Sequence, residues 1–144
     1  MILVDTNILL GVFQDAARWS DWSQDQLDSA AAIDTLAINP IIYSELSSGF
    51  ARIEELDAVI SEASLAIEDL PREALFLAGK AFLRYRRSRG ASQSVWPDFY
   101  IGAHAAVMRW PLLTRDAGRF LTLFPSVAVI PPPPEPATHR TGRR

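Results

Sequence analysis

Four acidic residues occupy positions where a carboxylate could do chemistry: Asp5, Glu45, Asp98 and Asp116. Asp5 directly follows the apolar run Ile2-Leu3-Val4, and Asp116 follows Leu112-Leu113-Thr114 in the same manner. Two buried strands that each lead into an aspartate would set two carboxylates at one sheet edge. If the strands are neighbours, the acids face each other, and their repulsion favours a bound cation or a shared proton. Glu45 lies among Ile41, Ile42, Leu46 and Gly49, so its helix should turn it inward, where an unpaired carboxylate is costly. Asp98 follows Pro97 in a first helical turn, with Gly102 and Ala105 on its side to let another backbone come close. Each acid also has a plain structural role open to it. Asp5 and Asp116 suit N-caps, Glu45 suits a half-exposed helix face, and Asp98 suits a helix N-terminus, where it is worth about 0.3–1 kcal/mol.

The residue types narrow the chemistry. There is no cysteine, no zinc-ligand spacing, no glycine-rich phosphate loop and no Ser/His/Asp order. His104 sits mid-helix among alanines and is expected to pack, while His139 lies near the C-terminus. Four carboxylates without a soft ligand suit hard, oxygen-seeking cations, Mg²⁺ or Mn²⁺, which activate water and neutralise phosphate oxygens.

The elements that must position these acids alternate. Strands are expected at residues 2–4, 35–38, 112–114 and 127–130, with a weak one at 65–67. Helices are expected at 7–13, 26–33, 41–50, 52–64, 71–89, 97–109 and 117–123, with residues 14–25 polar and 91–96 a loop. This order predicts an α/β domain, a mainly parallel central sheet of four or five strands flanked by helices. In such sheets ligands bind beyond the carboxyl ends of the strands, where Asp5 and Asp116 are expected.

The bulk properties fit one such domain. Hydrophobic residues make up 49% of the 144-residue chain, enough for a single core. Residues 1–130 form the domain, and the prolines at 131–134 end it, because successive prolines cannot pair in a sheet. The Pro-rich, basic segment 131–144 reads as a disordered tail. No run reaches the roughly 18–20 apolar residues of a membrane span, and Asp5 interrupts the first apolar run, so a cytoplasmic protein is expected. The net charge is −3, and residues 1–130 carry −5 of it, against +2 in the tail. Nucleic-acid binding would therefore need a local basic patch. Lys80, Arg84 and Arg87 recur at spacings of four and three, placed opposite Phe76 and Phe82 and flanked by Arg86 and Arg89, and form the candidate stripe. A solvated helix end explains them equally well.

Taken together, Val4-Asp5-Thr6-Asn7, Glu45, Pro97-Asp98-Phe99-Tyr100-Ile101-Gly102-Ala103-His104-Ala105 and Leu112-Leu113-Thr114-Arg115-Asp116 followed by Phe120 resemble the PIN domain. Within it they are most similar to the toxin half of VapBC-type toxin–antitoxin modules, over residues 1–130. The resemblance implies a PIN-like fold and Mg²⁺- or Mn²⁺-dependent endoribonuclease activity. It makes Asp5, Glu45, Asp98 and Asp116 the metal-binding, catalytic acids, supported by Thr6, Asn7 and Thr114. It also implies an RNA substrate, a homodimer and a small inhibitory antitoxin, for which Trp19 and Trp22 are candidate contacts. Three features depart from the pattern: Trp96 stands before Pro97 where a basic residue is common, His104 stands where small residues are usual, and the Pro-rich tail lies outside it.

Two other readings compete. A non-enzymatic PIN-like interaction module would keep the acids as caps. An Asp-based phosphotransfer domain fits poorly, because a dehalogenase-like phosphatase needs a second aspartate where Asn7 stands. A receiver domain needs a lysine after a late strand, and the only lysine is Lys80.

Overall fold

The computed structural model describes residues 1–13, 20–89 and 96–130. Five strands are present among them: β1 (Ile2–Val4), β2 (Leu36–Ile38), β3 (Ala66–Ile67), β4 (Leu112–Leu113) and β5 (Val129–Ile130). Seven helices accompany them: α1 (Thr6–Phe13), α2 (Ser20–Ala31), α3 (Pro40–Ser47), α4 (Ile53–Glu62), α5 (Arg72–Arg89), α6 (Trp96–Met108) and α7 (Ala117–Leu123). The expected tail, the loop at 91–95 and Trp19 fall outside the described residues.

All strand pairings are parallel, in the order β3-β2-β1-β4-β5. Ile2, Leu3 and Val4 are all buried, as befits a central strand covered on both faces and therefore free of polar alternation. The chain builds outward from β1 to β2 and β3, then returns through α5 and α6 to lay β4 on the other side of β1. The strand order thus reverses between β1 and β4, the place where the carboxyl ends of a parallel sheet open a crevice.

Helix boundaries follow local chemistry. Asn39 caps α3, its side chain accepting from the Ile42 N–H at 2.9 Å, and Pro40 takes the first helical position. Two helices end without glycine at the left-handed position. Ser64 (φ 54°) closes α4 and Arg109 (φ 56°) closes α6. The amides of Leu65 and Trp110 then reach back to the carbonyls of Ile60 and Ala105. One helix differs from expectation: α2 begins at Ser20, well before the expected start at Gln26. Its buried stripe is Ser23, Leu27 and Ala30, too small and polar to register as hydrophobic periodicity.

Helix α6 is enclosed on most sides, with Phe99, Ile101, Gly102, Ala103, His104 and Ala105 buried, and it packs on α5, α3 and α7. The close neighbour at Gly102 is an aromatic ring, not the backbone expected. A Cβ there would stand 2.3 Å from Cδ2 of Phe124. The N-terminal end of α6 is pinned by aromatics. Trp96 stacks on Phe82 (centroids 4.2 Å apart) and on Tyr100, and Phe99 meets Phe82 and Tyr85 edge-on. Trp96, expected in the loop, in fact opens the helix and helps fix the turn that carries Asp98.

Candidate active site

The register of β1 and β4 builds the centre of the site. Val4 pairs with Leu113, and the Asp5 amide donates to the Leu113 carbonyl at 2.9 Å. The residue brought against the Asp5 carboxylate is therefore Thr114, not Asp116. The Thr114 hydroxyl donates to Asp5 Oδ2 at 2.7 Å, and the Thr6 amide donates to Oδ1 at 2.7 Å. Asp5 is only 6% exposed. Burial pushes its carboxyl up to about 6; the two hydrogen bonds pull it down, and the charges of Asp98 and Glu45 push it up again. The capping role foreseen for Asp5 is partly real, since it holds the first amide of α1, but its environment exceeds what a surface cap needs.

The other groups attach to this centre from three elements. The Thr6 hydroxyl donates to Glu45 Oε1 at 2.7 Å, joining α1 to the half-buried Glu45 of α3. Thr114 Oγ1 also accepts from the Asp116 amide at 2.9 Å and from Asn7 Nδ2 at 3.4 Å. Asn7 Oδ1 accepts from the Arg115 amide at 3.2 Å. The three supporting residues expected from the resemblance, Thr6, Asn7 and Thr114, thus stitch the start of α1 to Glu45 and to the β4–α7 turn. Such contacts fix carboxylate orientation, which is what outer polar groups around a metal do.

Asp98 and Asp116 belong to a second half of the site, organised by a residue the sequence reading missed. Arg119 donates from Nη1 to Asp98 Oδ2 at 2.9 Å, and its Nη2 lies 3.7 Å from Asp116 Oδ2. Burial pushes the Asp98 carboxyl up, Arg119 counters it, and Asp116 adds to the rise. Partial burial opposes the charge on Arg119, but Asp98, Asp116 and, at longer range, Asp5 outweigh it and hold the guanidinium protonated. The cap role foreseen for Asp116 is not taken. It stands at the N-cap of α7 with no side-chain capping bond, and its carboxylate meets Arg119 instead. The available signal was the i,i+3 spacing of Asp116 and Arg119 at the start of a helix.

As placed, no three His, Asp or Glu side chains among the described residues gather closely enough to hold a metal ion. The donor chemistry nevertheless fits a hard divalent cation. The four acids come from the end of β1, α3, α6 and the β4–α7 turn; the charges of Asp98 and Glu45 push the Asp5 carboxyl up, and that of Asp116 pushes Asp98 up. A cationic group, Arg119, already lies between two of them. Asp5, Glu45, Asp98 and Asp116 would hold such an ion.

Elsewhere the outcomes are mixed. Lys80, Arg84 and Arg87 are exposed on α5. Phe76, however, is 69% exposed and lies under the Lys80 ammonium, 5.2 Å from its ring centroid. Residues four apart share a helix face, so Phe76 is beside the stripe and not opposite it. Trp22 is half-buried against the core, the packing alternative rather than an exposed contact. His104 packs as expected, fully buried against Trp110. Because Asn39 Oδ1 is engaged by Ile42, its Nδ2 faces His104 Nδ1 at 3.1 Å, so Nδ1 accepts and Nε2 carries the proton. Nε2 has no partner among the described residues, and burial favours the neutral ring. This bond ties the cap of α3, which carries Glu45, to α6, which carries Asp98. A cavity of about 390 Å³ lies away from the acids, lined by Phe13, Leu27, Val59 and Leu65 among others. No helix among the described residues is long and apolar enough to cross a membrane.

Comparison with known proteins agrees with this architecture. The chain is similar to a chain of the VapBC2 complex from Rickettsia felis bound to a promoter DNA fragment, with 22% identity, TM-score 0.68, and coverage of 91% of this chain and 98% of that one. It is similar to a chain of the DNA-bound VapBC from Salmonella typhimurium, with 17% identity, TM-score 0.67, and coverage of 91% and 98%. It is also similar to a chain of FitAcB from Neisseria gonorrhoeae, with 20% identity, TM-score 0.62, and coverage of 90% and 96%. At these identities the likeness establishes the fold. No curated protein matches. A family model for the PIN domain matches residues 2–123, and with its all-parallel five-stranded sheet the chain belongs to the PIN-domain family.

Proposed function

We propose that this protein is a Mg²⁺- or Mn²⁺-dependent endoribonuclease and the toxin of a toxin–antitoxin pair. The observation that carries the nuclease reading is the buried Asp5 carboxylate at the β1/β4 switch point, within electrostatic reach of Asp98 and Glu45. Such a set suits a cation that binds phosphate. A bound divalent ion would supply polarisation of water and neutralisation of phosphate oxygens. The chain's own part is to hold and orient. Asp5 and Asp98 are the anchoring acids, and Glu45 and Asp116 complete the shell. Thr114 and Thr6 keep Asp5 and Glu45 in fixed rotamers. In the metal-free protein burial pushes the Asp5 carboxyl up to about 6, so below that pH a proton competes with the ion for it. Attack in line on phosphorus needs no 2′-hydroxyl, so the preference for RNA rests on the family likeness.

The toxin reading rests on the likeness to chains solved within VapBC and FitAB-type complexes. As such a toxin the protein would act in the cytoplasm, pair with a small antitoxin and form a homodimer. The Lys80, Arg84 and Arg87 stripe would offer RNA a local positive face on an otherwise acidic domain. The non-enzymatic reading draws support from the absence, among the described residues, of a three-acid group close enough for a metal. One experiment separates them: Mn²⁺ binding by calorimetry and cleavage of a mixed RNA, in the parent, Asp5→Asn and Asp98→Asn. The nuclease reading expects Mn²⁺-dependent cleavage in the parent and none in either variant. Full activity in purified Asp5→Asn protein would refute it.

A further inference from the structure

Arg119 occupies an unusual place for a partly exposed arginine. It is the third residue of α7, and its guanidinium joins two carboxylates from different elements, Asp98 of α6 and Asp116 of the β4–α7 turn. Both belong to the set that would hold a divalent ion. The Asp98 side chain is 14% exposed and so largely shielded from water, whereas that of Arg119 is 46% exposed. The guanidinium can therefore leave towards solvent without disturbing the core. One positive charge faces two negative ones here, and Asp5 and Glu45 add more behind them, so the bridge leaves the site under-neutralised. A divalent cation answers that charge better. Arg119 engages Oδ2 of both Asp98 and Asp116, and an ion taking those oxygens would meet a like charge at contact distance.

We propose that Arg119 is a displaceable internal counter-ion: its bridge to Asp98 and Asp116 and a bound divalent ion are alternative states of the site. The inference rests on the metal-binding reading above. It gives Arg119 a defined task in the metal-free protein, holding together acids that would otherwise repel. It also explains why these acids stand apart from a ready-made metal cluster. The pair is open to solvent on its arginine side, which screens it, so displacement should cost metal affinity only modestly.

The test uses the full chain and the metal alone. Mn²⁺ affinity is measured by calorimetry in the parent, Arg119→Gln and Asp5→Asn. Arg119→Gln should bind Mn²⁺ about tenfold more tightly than the parent, equivalent to about 1.4 kcal/mol. Removing a nearby positive charge would tighten binding even without displacement, so a second measurement decides. The guanidinium Nη–Hη resonances of Arg119, the groups that face Asp98 and Asp116, are assigned by their loss in Arg119→Gln and followed through a Mg²⁺ titration. They should move from a hydrogen-bonded to a solvent-exchanging position as the site fills. Resonances unmoved at saturation overturn the proposal, as does weaker Mn²⁺ binding by Arg119→Gln, and in both cases Mn²⁺ binding lost in Asp5→Asn leaves the metal site itself standing. If the parent and both variants all fail to bind Mn²⁺, the metal reading falls and takes this inference with it.

Discussion

Asp5→Asn probes the electrostatics of the site while leaving its shape in place. Burial, with smaller contributions from Asp98 and Glu45, pushes the Asp5 carboxyl from 3.8 to about 6 against the pull of two hydrogen bonds. The folded protein therefore holds this proton more tightly than the unfolded chain does. Between those two values the folded state binds more protons, so stability falls as the pH rises. The contribution of Asp5 is most favourable below its unfolded value and is lost as the pH passes about 6. At about 1.4 kcal/mol per pH unit, the full cost above that point is about 3 kcal/mol. Asparagine carries no such cost. Its oxygen can keep the Thr6 amide, but its NH₂ meets Thr114 Oγ1, which already accepts from Asp116 and Asn7. That loses about one hydrogen bond, about 1–2 kcal/mol.

Without metal, Asp5→Asn should thus be more stable than the parent by about 1–2 kcal/mol near pH 8 and less stable by about the same amount near pH 4. Urea unfolding of both proteins in EDTA, across that range, gives the difference curve, in which groups common to both cancel. A difference that does not change with pH, or that favours the parent increasingly above pH 6, would refute the reasoning. Saturating Mn²⁺ should reverse the order, stabilising the parent by about 2.7 kcal/mol at a hundredfold excess over Kd and the variant not at all.

Thr114→Val keeps the shape but strips a donor from Asp5 and an acceptor from the Asp116 amide. It should cost about 1–3 kcal/mol in chemical denaturation and abolish cleavage, with Thr114→Ser restoring both. Gly102→Ala would drive a methyl into the buried Phe124 ring, 2.3 Å from Cδ2, and should lower stability by about 1–3 kcal/mol in thermal melts. Asn39→Ala removes the α3 cap and the His104 acceptor's partner together. A loss of about 1–2 kcal/mol is expected, with reduced cleavage because Glu45 rides on α3. Arg84→Glu with Arg87→Glu should weaken RNA binding for many sequences and reduce the log–log salt slope by roughly 0.7 per lost phosphate contact. That is measured in Ca²⁺ or in an Asp98→Asn background, and an unchanged slope would assign these arginines to another surface.

The amino-acid sequence by itself determined the layers and the edge at which the acids collect. Short apolar runs such as Ile2-Leu3-Val4 and Leu112-Leu113, bounded by turn signals and alternating with helices, read as buried strands, and an aspartate just beyond such a run stands at its carboxyl end. The same local logic located α3, α4, α5, α6 and α7 to within a few residues, because caps, prolines and apolar spacing are local signals. It failed at the start of α2, whose buried stripe is nearly polar. What only the tertiary structure decided is who faces whom. The β1–β4 register set Thr114 against Asp5 and left Asp116 to Arg119. Helix packing brought Asn39 to His104 and Phe124 to Gly102. The physical reason is the range of the interactions. Periodicity along a strand or helix records which face is buried, whereas the Thr114–Asp5 bond joins residues 109 apart in the chain. Sliding the register by one residue would keep much of the local pattern and change every partner at the site.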